Sequence, residues 1–446
     1  MDYSMIGIIL TVVIGIPGII WFILWYHDQK REERKGKLKN IIKAGINEFT
    51  SYKELYGFLI RYHSDDLKRL KNKYSLIGQA YFKKTFGDKI RFKEDKTLYE
   101  FPLIYKKNWL KSSNKKFWLE LGELIDDYSN DLLLLSKDFL KKRFNISNFV
   151  EFNEECGKRV WGQTTFDLYK IKESKEGILT VFCCKSNYLN FVSTYEVIQK
   201  ELYYNYIYGE EFVLRKKIRF NLEDYSWRPA KIGINVFTIM KRRWILYIIH
   251  KRRSNQIEYP EFYHVIPAGT FQPVSEHSVK KQYSFGYTIF REFLEELFDL
   301  EEADKKYRLS DPLKIFSLPV EHPIDSTKPQ IYPGKLLLGE KLHFAQFKTE
   351  KYELIPTGFL IDITSFKPEI TFILFIKDET IHEVLQEYIR GCWEADIAEY
   401  DLTGNKYAGN FFDFLSEHLT VNEFLPAGAV AVSEGIKWYM ENLRKV

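Results

Sequence analysis

The chain is poor in the residues that would make it a disulfide scaffold, a fibre or a linker. It has only 4 cysteines, 14 prolines and 24 glycines in 446 residues. Four scattered cysteines without a CxxC spacing exclude a disulfide framework, argue against a structural zinc site and fit a reducing compartment. The low proline and glycine content excludes a collagen-like or linker-dominated chain.

Several enzyme signatures are missing as well. The patterns GxxxxGK[ST], GxGxxG, GxSxG and HExxH do not occur in the sequence. Their absence removes the main support for a P-loop ATPase, a dinucleotide-binding enzyme, an α/β-hydrolase or a metalloprotease.

What the chain does have is 45% hydrophobic and 17% aromatic residues. It can therefore bury a sizeable core, and its length predicts two or three folded units.

Near the N-terminus lies the longest uncharged segment. Residues 5–25 read MIGIILTVVIGIPGIIWFILW. As a helix this segment spans about 31 Å, which matches the hydrocarbon core of a bilayer. The start MDYS lacks the basic residues of a cleaved signal peptide. We therefore predict a single transmembrane helix at residues 5–26, with the N-terminus outside and the bulk of the chain in the cytoplasm.

A basic segment follows at residues 30–91, although the whole chain has a net charge of only +5. We predict contact with anionic lipid along residues 30–43, from Lys30 to Lys43. A solvated helical face remains the alternative, and we do not expect nucleic acid to be the partner.

The rest of the chain predicts an α+β protein. We expect a mainly helical basic region at 30–150, a mixed connector at 151–224 and an α+β sandwich at 225–446. Apolar spacing predicts the following helices: 37–60, 117–144, 194–208, 284–300 and 434–443. Apolar runs predict the following strands: 177–184, 233–240, 244–250, 335–338, 359–363 and 371–376.

One predicted helix carries a cluster of acids in the sequence REFLEELF. On a helix, Glu292, Glu295 and Glu296 share one face, where their carboxylates repel each other unless a cation joins them. Such oxygen ligands suit Mg²⁺, which would neutralise a pyrophosphate and activate a water. Arg291 lies four residues before Glu295 and could pair with it. The alternative is an ordinary amphipathic helix with an acidic face.

The same residues resemble a known family. Arg-Glu-Phe-Leu-Glu-Glu is similar to the second half of the Nudix box, and Ile-Pro-Ala-Gly at 266–269 resembles the strand and glycine that open it. The resemblance implies a Nudix-like domain within 225–446, with the fold of an α/β/α sandwich that has a mixed sheet. It further implies Mg²⁺ or Mn²⁺ ligands at Glu292, Glu295 and Glu296, catalytic roles for Arg291, Glu292 and Glu296, and a substrate-binding role for Gly269.

The chain departs from the family pattern in the loop half of the box. The spacing from Gly269 to Arg291 is longer than in the family, so we expect an insertion within 271–285. Tyr283 stands where the family has a glutamate, and Phe298 stands where it has a glycine.

Three functions follow as hypotheses. The first is a membrane-anchored, metal-dependent hydrolase of a nucleoside-diphosphate-linked substrate. The second is an inactive Nudix-like nucleotide sensor. The third is a structural membrane scaffold, in which the acidic helix face is only solvent-exposed surface. An acidic run at 393–401 could add a general base, although a solvated helix start is the simpler interpretation. A turn at 321–323 could join the site, and the oligomeric state stays open.

Overall fold

A computed structural model describes the chain in fifteen ranges. These are 3–49, 54–55, 58–59, 73–86, 101–111, 117–218, 222–241, 245–252, 262–273, 279–298, 347–348, 352–377, 395–401, 411–420 and 423–442.

Helices and strands alternate irregularly along the described residues. The helices are α1 (Tyr3–Phe49), α2 (Gln79–Phe86), α3 (Asp131–Phe144), α4 (Phe149–Glu155), α5 (Tyr188–Val192), α6 (Tyr195–Tyr208), α7 (Leu214–Ile218), α8 (Val279–Gln282), α9 (Phe285–Phe298), α10 (Phe411–His418) and α11 (Pro426–Asn442). The strands are β1 (Ser75–Leu76), β2 (Leu103–Tyr105), β3 (Trp118–Leu121), β4 (Thr164–Glu173), β5 (Ile178–Asn187), β6 (Ala230–Lys231), β7 (Gly233–Met240), β8 (Ile245–Arg252), β9 (His264–Val265), β10 (Ala268–Thr270), β11 (Phe347–Lys348), β12 (Tyr352–Asp362), β13 (Pro368–Ile376) and β14 (Ala395–Asp401).

Two sheets organise these elements. A 10-stranded sheet has the order β1-β2-β12-β13-β7-β8-β14, with β10 beside β7, β11 beside β12 and β9 beside β8. Its strands pair antiparallel except β7 and β13, which are parallel. A 4-stranded sheet has the order β3-β5-β4-β6 and also mixes both directions. The prediction of an α+β protein with a mixed sheet is therefore confirmed.

The central strands of the large sheet are covered on both faces. Every residue of β7 and β13 is buried. From α9, the ring of Phe285 contacts that of Phe372 on one face, at a centroid distance of 5.7 Å. From α11, Gly435 packs against the ring of Phe237 on the other face, since neighbouring residues of a strand point to opposite sides. The sheet is thus sandwiched between α9 and α11.

An aromatic contact joins the small sheet to the large one. The N–H of Phe166 in β4 donates to the carbonyl of Phe271 at 2.9 Å, and their ring centroids lie 4.8 Å apart. Phe271 in turn contacts Phe285 of α9, at 4.4 Å. The small sheet therefore rests on the segment between β10 and α9.

The first helix corrects the transmembrane prediction. Residues 5–26 are helical, but α1 continues through the charged residues that follow and ends at Phe49. The apolar side chains of residues 20–26 are exposed, and among the described side chains of this helix Leu38, Ile41 and Ile42 are buried. Among the residues whose placement is described, no helix is both apolar enough and long enough to cross a membrane. The predicted span at 5–26 and the single-pass localisation drawn from it are therefore wrong.

Most of the other predicted elements are confirmed where the structure describes them. The strand at 233–240 is β7, and the helix at 284–300 is α9 with slightly tighter bounds. The helix predicted at 117–144 is wrong in its first part, because β3 occupies Trp118–Leu121 and helix α3 begins only at Asp131. The short helix α7 lies within the mixed connector predicted at 151–224. The strand predicted at 335–338 lies outside the described residues.

A buried carboxyl group in β4 lies opposite a buried lysine in β6. Asp167 and Lys231 are opposite each other in the ladder and are 1% and 3% exposed. Burial raises the pKa of Asp167 from 3.8 to about 6, although hydrogen bonds from Thr165 and Ser186 and the charge of Lys231 oppose that rise. The folded chain therefore keeps a proton on Asp167 at a pH where the unfolded chain has lost it.

This pair predicts a pH-dependent stability. Between about pH 4 and pH 6, the unfolded state binds fewer protons at Asp167 than the folded state, so the free energy of unfolding falls as pH rises. The fall amounts to about 3 kcal/mol. Urea unfolding across this range should show a fall in all three proteins, because burial also raises the pKa of Glu434. The fall should be about 3 kcal/mol smaller in Asp167→Asn than in the wild type and in the exposed-site control Asp138→Asn. The same slope in all three proteins would contradict the prediction.

A buried arginine clamps the middle of the chain to the large sheet. The Glu201 carboxylate accepts the N–H groups of Leu214 and Arg215, each at 3.0 Å, at the start of α7. The guanidinium of Arg215 donates to the carbonyl of Ile363 at 2.6 Å and to that of Thr364, in the turn between β12 and β13. The segment α6–α7 is thereby fixed to the end of the central strands.

We expect Arg215→Met to lower the free energy of unfolding by about 2–4 kcal/mol, because two buried carbonyls lose their donors. The neighbouring Lys216→Met is the matched control, since the Lys216 side chain is 52% exposed. It should change stability by no more than about 0.5 kcal/mol. Equal effects of the two variants in urea unfolding would show that the clamp contributes nothing.

Candidate functional site

One stripe of α9 contacts the segment that begins with β10. Thr288, Glu292 and Glu296 are spaced by one helical turn and therefore lie on one face. The Thr288 hydroxyl donates to the carbonyl of Gln272 at 3.3 Å. Glu292 contacts Gly269, and Glu296 contacts Ala268. The helix thus runs back along the segment that precedes it, which brings the predicted glycine and two of the predicted acids together.

The closest of these contacts is between Glu292 and Gly269. A Cβ atom on Gly269 would lie 2.3 Å from the Glu292 Cδ and 2.4 Å from its Oε1, so a larger residue at this position would displace this carboxylate. Glu292 Oε1 also accepts from a terminal nitrogen of Arg291 at 2.5 Å. Arg291 is 0% exposed, whereas the Glu292 side chain is 13% exposed. The carboxylate is therefore held from behind by a buried cation and keeps some access to solvent.

Glu296 is fixed by the backbone of β10. Its Oε2 accepts the N–H of Ala268 at 2.9 Å, and the residue is 5% exposed. Among the described strands β10 pairs only with β7. The glutamate therefore satisfies a donor at the free edge of this strand, as buried edges require.

Oxygen donors of this kind suit a hard divalent cation. Glu292 and Glu296 supply carboxylates from adjacent turns of α9 to the same two residues of β10. Glu295 lies in α9 as predicted, but its side chain is outside the described set, as is its suggested pairing with Arg291. In the described part of the chain, no group of three His, Cys, Asp or Glu side chains converges as a metal site. The three-glutamate ligand set therefore stays a prediction.

The altered loop half of the motif has a structural reason. The ring of Tyr283 packs edge-on against Phe166 of β4 at 5.0 Å and lies 5.8 Å from Phe271. The position that the resemblance assigns to a glutamate is therefore part of the junction with the small sheet. A charged side chain there would be taken into an aromatic cluster, which carries a high desolvation cost.

Other predicted positions contribute less. Residues 395–401 of the acidic run enter the large sheet as β14, so the interpretation as a helix start was wrong. Residues 321–323 lie outside the described residues. Within the basic stretch 30–43, Lys37 pairs with Glu33 at 2.7 Å and Arg34 pairs with Glu210 at 3.5 Å. Contact of the remaining charge with anionic lipid stays a prediction.

The structure also contains a polar cluster that the sequence did not indicate. Glu369 in β13 accepts from Asn235 at 2.8 Å and pairs with Lys367 at 3.0 Å, and all three are buried. A Cβ atom on Gly233 would lie 1.9 Å from Glu369 Oε2. The only sequence signal was a charged residue inside an apolar strand, which alone does not distinguish a site from a structural ion pair.

No protein-family model matches the chain, and no curated protein matches it. The function is therefore argued from the geometry of the residues.

We expect Gly269→Ala to displace the Glu292 carboxylate, because the obstructing group is the end of a flexible side chain. The cost should be about 1–3 kcal/mol of stability, since the buried Arg291 loses its close partner. Gly36→Ala is the control: nothing lies within 4 Å of its new Cβ, and removing a helical glycine should add about 0.5–1 kcal/mol. Thermal unfolding that shifts equally in both variants would contradict the close approach.

Proposed function

We propose that this chain is a metal-dependent hydrolase that cleaves a nucleoside-diphosphate-linked compound at its pyrophosphate. The observation that supports this most directly is the contact of Glu292 with Gly269. It brings together the acidic helix and the glycine turn, the two parts of the sequence that resemble the Nudix box. The contacts also give each residue of the site a distinct role.

Glu292 and Glu296, together with Glu295, would hold Mg²⁺ or Mn²⁺. When bound, such an ion supplies Lewis-acid neutralisation of the pyrophosphate and activates water. Arg291 fixes the Glu292 carboxylate at 2.5 Å, and the Ala268 N–H fixes Glu296 at 2.9 Å. Because both acids are oriented before any ligand arrives, little ordering remains to be done on binding. Gly269 leaves the turn without a side chain, so a phosphate could approach its backbone closely.

A second candidate is a nucleotide sensor that binds without turnover. It is favoured by Tyr283, which stands where the family has a glutamate and is packed against Phe166 and Phe271. If that glutamate is needed for cleavage, binding could persist without chemistry. The two candidates share a metal and ligand site and differ only in whether the compound is cleaved.

The variant Glu296→Gln tests the hydrolase. The amide keeps an oxygen for the Ala268 N–H, so the fold should survive, but the negative charge needed for the cation is lost. We expect metal-dependent cleavage of a panel of nucleoside-diphosphate-linked compounds, followed by mass, to drop at least about 100-fold. Glu417→Gln, at a side chain that is 71% exposed, is the matched control and should cleave normally.

Full cleavage by Glu296→Gln would reject the proposed site. If the wild type instead cleaves no compound in the panel, yet one compound raises its melting temperature only when Mg²⁺ is present, the sensor is supported.

A further inference from the structure

The segment that follows Gly269 leads from the acidic helix to the small sheet. Gln272 lies three residues beyond Gly269, which for extended chain is about 10 Å. Its side-chain Nε2 donates to Gln163 Oε1 at 3.0 Å. Its backbone carbonyl accepts a hydrogen bond from the Thr288 hydroxyl at 3.3 Å. The two side-chain amides therefore lie at a fixed distance from the Glu292 carboxylate, because both α9 and the small sheet hold them.

A parallel aromatic stack adjoins these amides. The ring of Trp161 lies on that of Tyr188, with centroids 5.7 Å apart and planes inclined by only 5°. Trp161 Nε1 donates to the same Gln163 Oε1, at 3.2 Å. The Lys231 ammonium lies 4.6 Å from the Tyr188 centroid, so the stack is also backed by a buried cation. Trp161 and Gln163 remain partly exposed.

This combination has the features of a site for a flat heteroaromatic group. A tryptophan held rigid by a second ring offers an extended π surface to a planar ligand, and stacking accepts any base. Side-chain amides carry both donors and acceptors. Gln163 Oε1 already accepts two N–H groups, so the amide of Gln272 would supply the acceptor for the edge of a base. The distance of about 10 Å between Gln272 and Gly269 is comparable with the distance between the base and the second phosphate of a nucleoside diphosphate.

We propose that Trp161, supported by Tyr188 and flanked by Gln163 and Gln272, forms the subsite for the nucleobase of a nucleoside-diphosphate-linked ligand. The pyrophosphate would then lie toward Gly269 and Glu292. The inference deepens the proposed function and rests on it for the position of the phosphates. It also assigns a role to the small sheet, which brings Trp161 and Gln163 to the site.

Binding of small probes to the full chain tests this subsite. The probes are ADP, GDP, CDP and UDP, with inorganic pyrophosphate as the probe that lacks a base, all in the presence of Mg²⁺. Isothermal titration calorimetry would compare the wild type with Trp161→Ala, Trp161→Phe and Trp118→Ala. Trp118 lies in β3 and is likewise half-buried, so it controls for the loss of an indole from the same sheet.

We expect Trp161→Ala to weaken the best-bound nucleoside diphosphate about 5- to 150-fold. Pyrophosphate binding should stay within about twofold, because it does not stack. Trp161→Phe should restore most of the lost affinity, and Trp118→Ala should bind like the wild type. The subsite is overturned if no nucleoside diphosphate binds more tightly than pyrophosphate, or if Trp161→Ala weakens both equally.

The two proposals can fail separately. The protein could bind a nucleoside diphosphate through Trp161 and yet cleave nothing, or Glu296→Gln could cleave as well as the wild type. Either result would retain the subsite and reject the hydrolase assignment. Conversely, cleavage that depends on Glu296 but is indifferent to Trp161 retains the hydrolase and removes the subsite.

Discussion

Burial of β7 and β13 on both faces is the constraint on which the rest of the structure depends. Their ladder is parallel, and all of their residues are buried. Parallel strands of this kind need helices on both sides. Helix α11 covers one face, where Gly435 allows close packing on Phe237, and α9 covers the other through Phe285. Because α9 is held against the sheet, Glu292 and Glu296 face the turn of β10.

The small sheet changes what this arrangement can do. It docks on the segment after Gly269 through Phe166 and Phe271, and Tyr283 completes the junction. The longer spacing before Arg291 and the tyrosine in place of a glutamate are therefore both consistent with a surface that binds another layer of the protein. The same docking carries Trp161 and Gln163 toward the acidic helix. The departures from the family pattern and the inferred nucleobase subsite thus have one structural origin.

Sequence reasoning succeeded where the pattern was local. The apolar run of β7 and the amphipathic run of α9 predicted their elements, and the glutamate spacing predicted one shared face for Glu292 and Glu296. It failed for contacts that depend on the pairing of strands distant in the sequence. No local signal shows that Glu369 meets Asn235 across a parallel ladder, or that Asp167 meets Lys231. It also took the apolar start of α1 for a membrane span, although that segment is the first part of a 47-residue helix whose later residues are charged.

Binding of Mn²⁺ is the measurement that tests the central claim most directly, because it needs neither substrate nor turnover. Electron paramagnetic resonance would follow free Mn²⁺ during titration of the full chain. We expect a site that Glu292→Gln and Glu296→Gln each weaken by at least about tenfold, while Glu417→Gln binds like the wild type. If all three variants bind Mn²⁺ as the wild type does, the acids of α9 do not hold a metal and the account of the site is wrong.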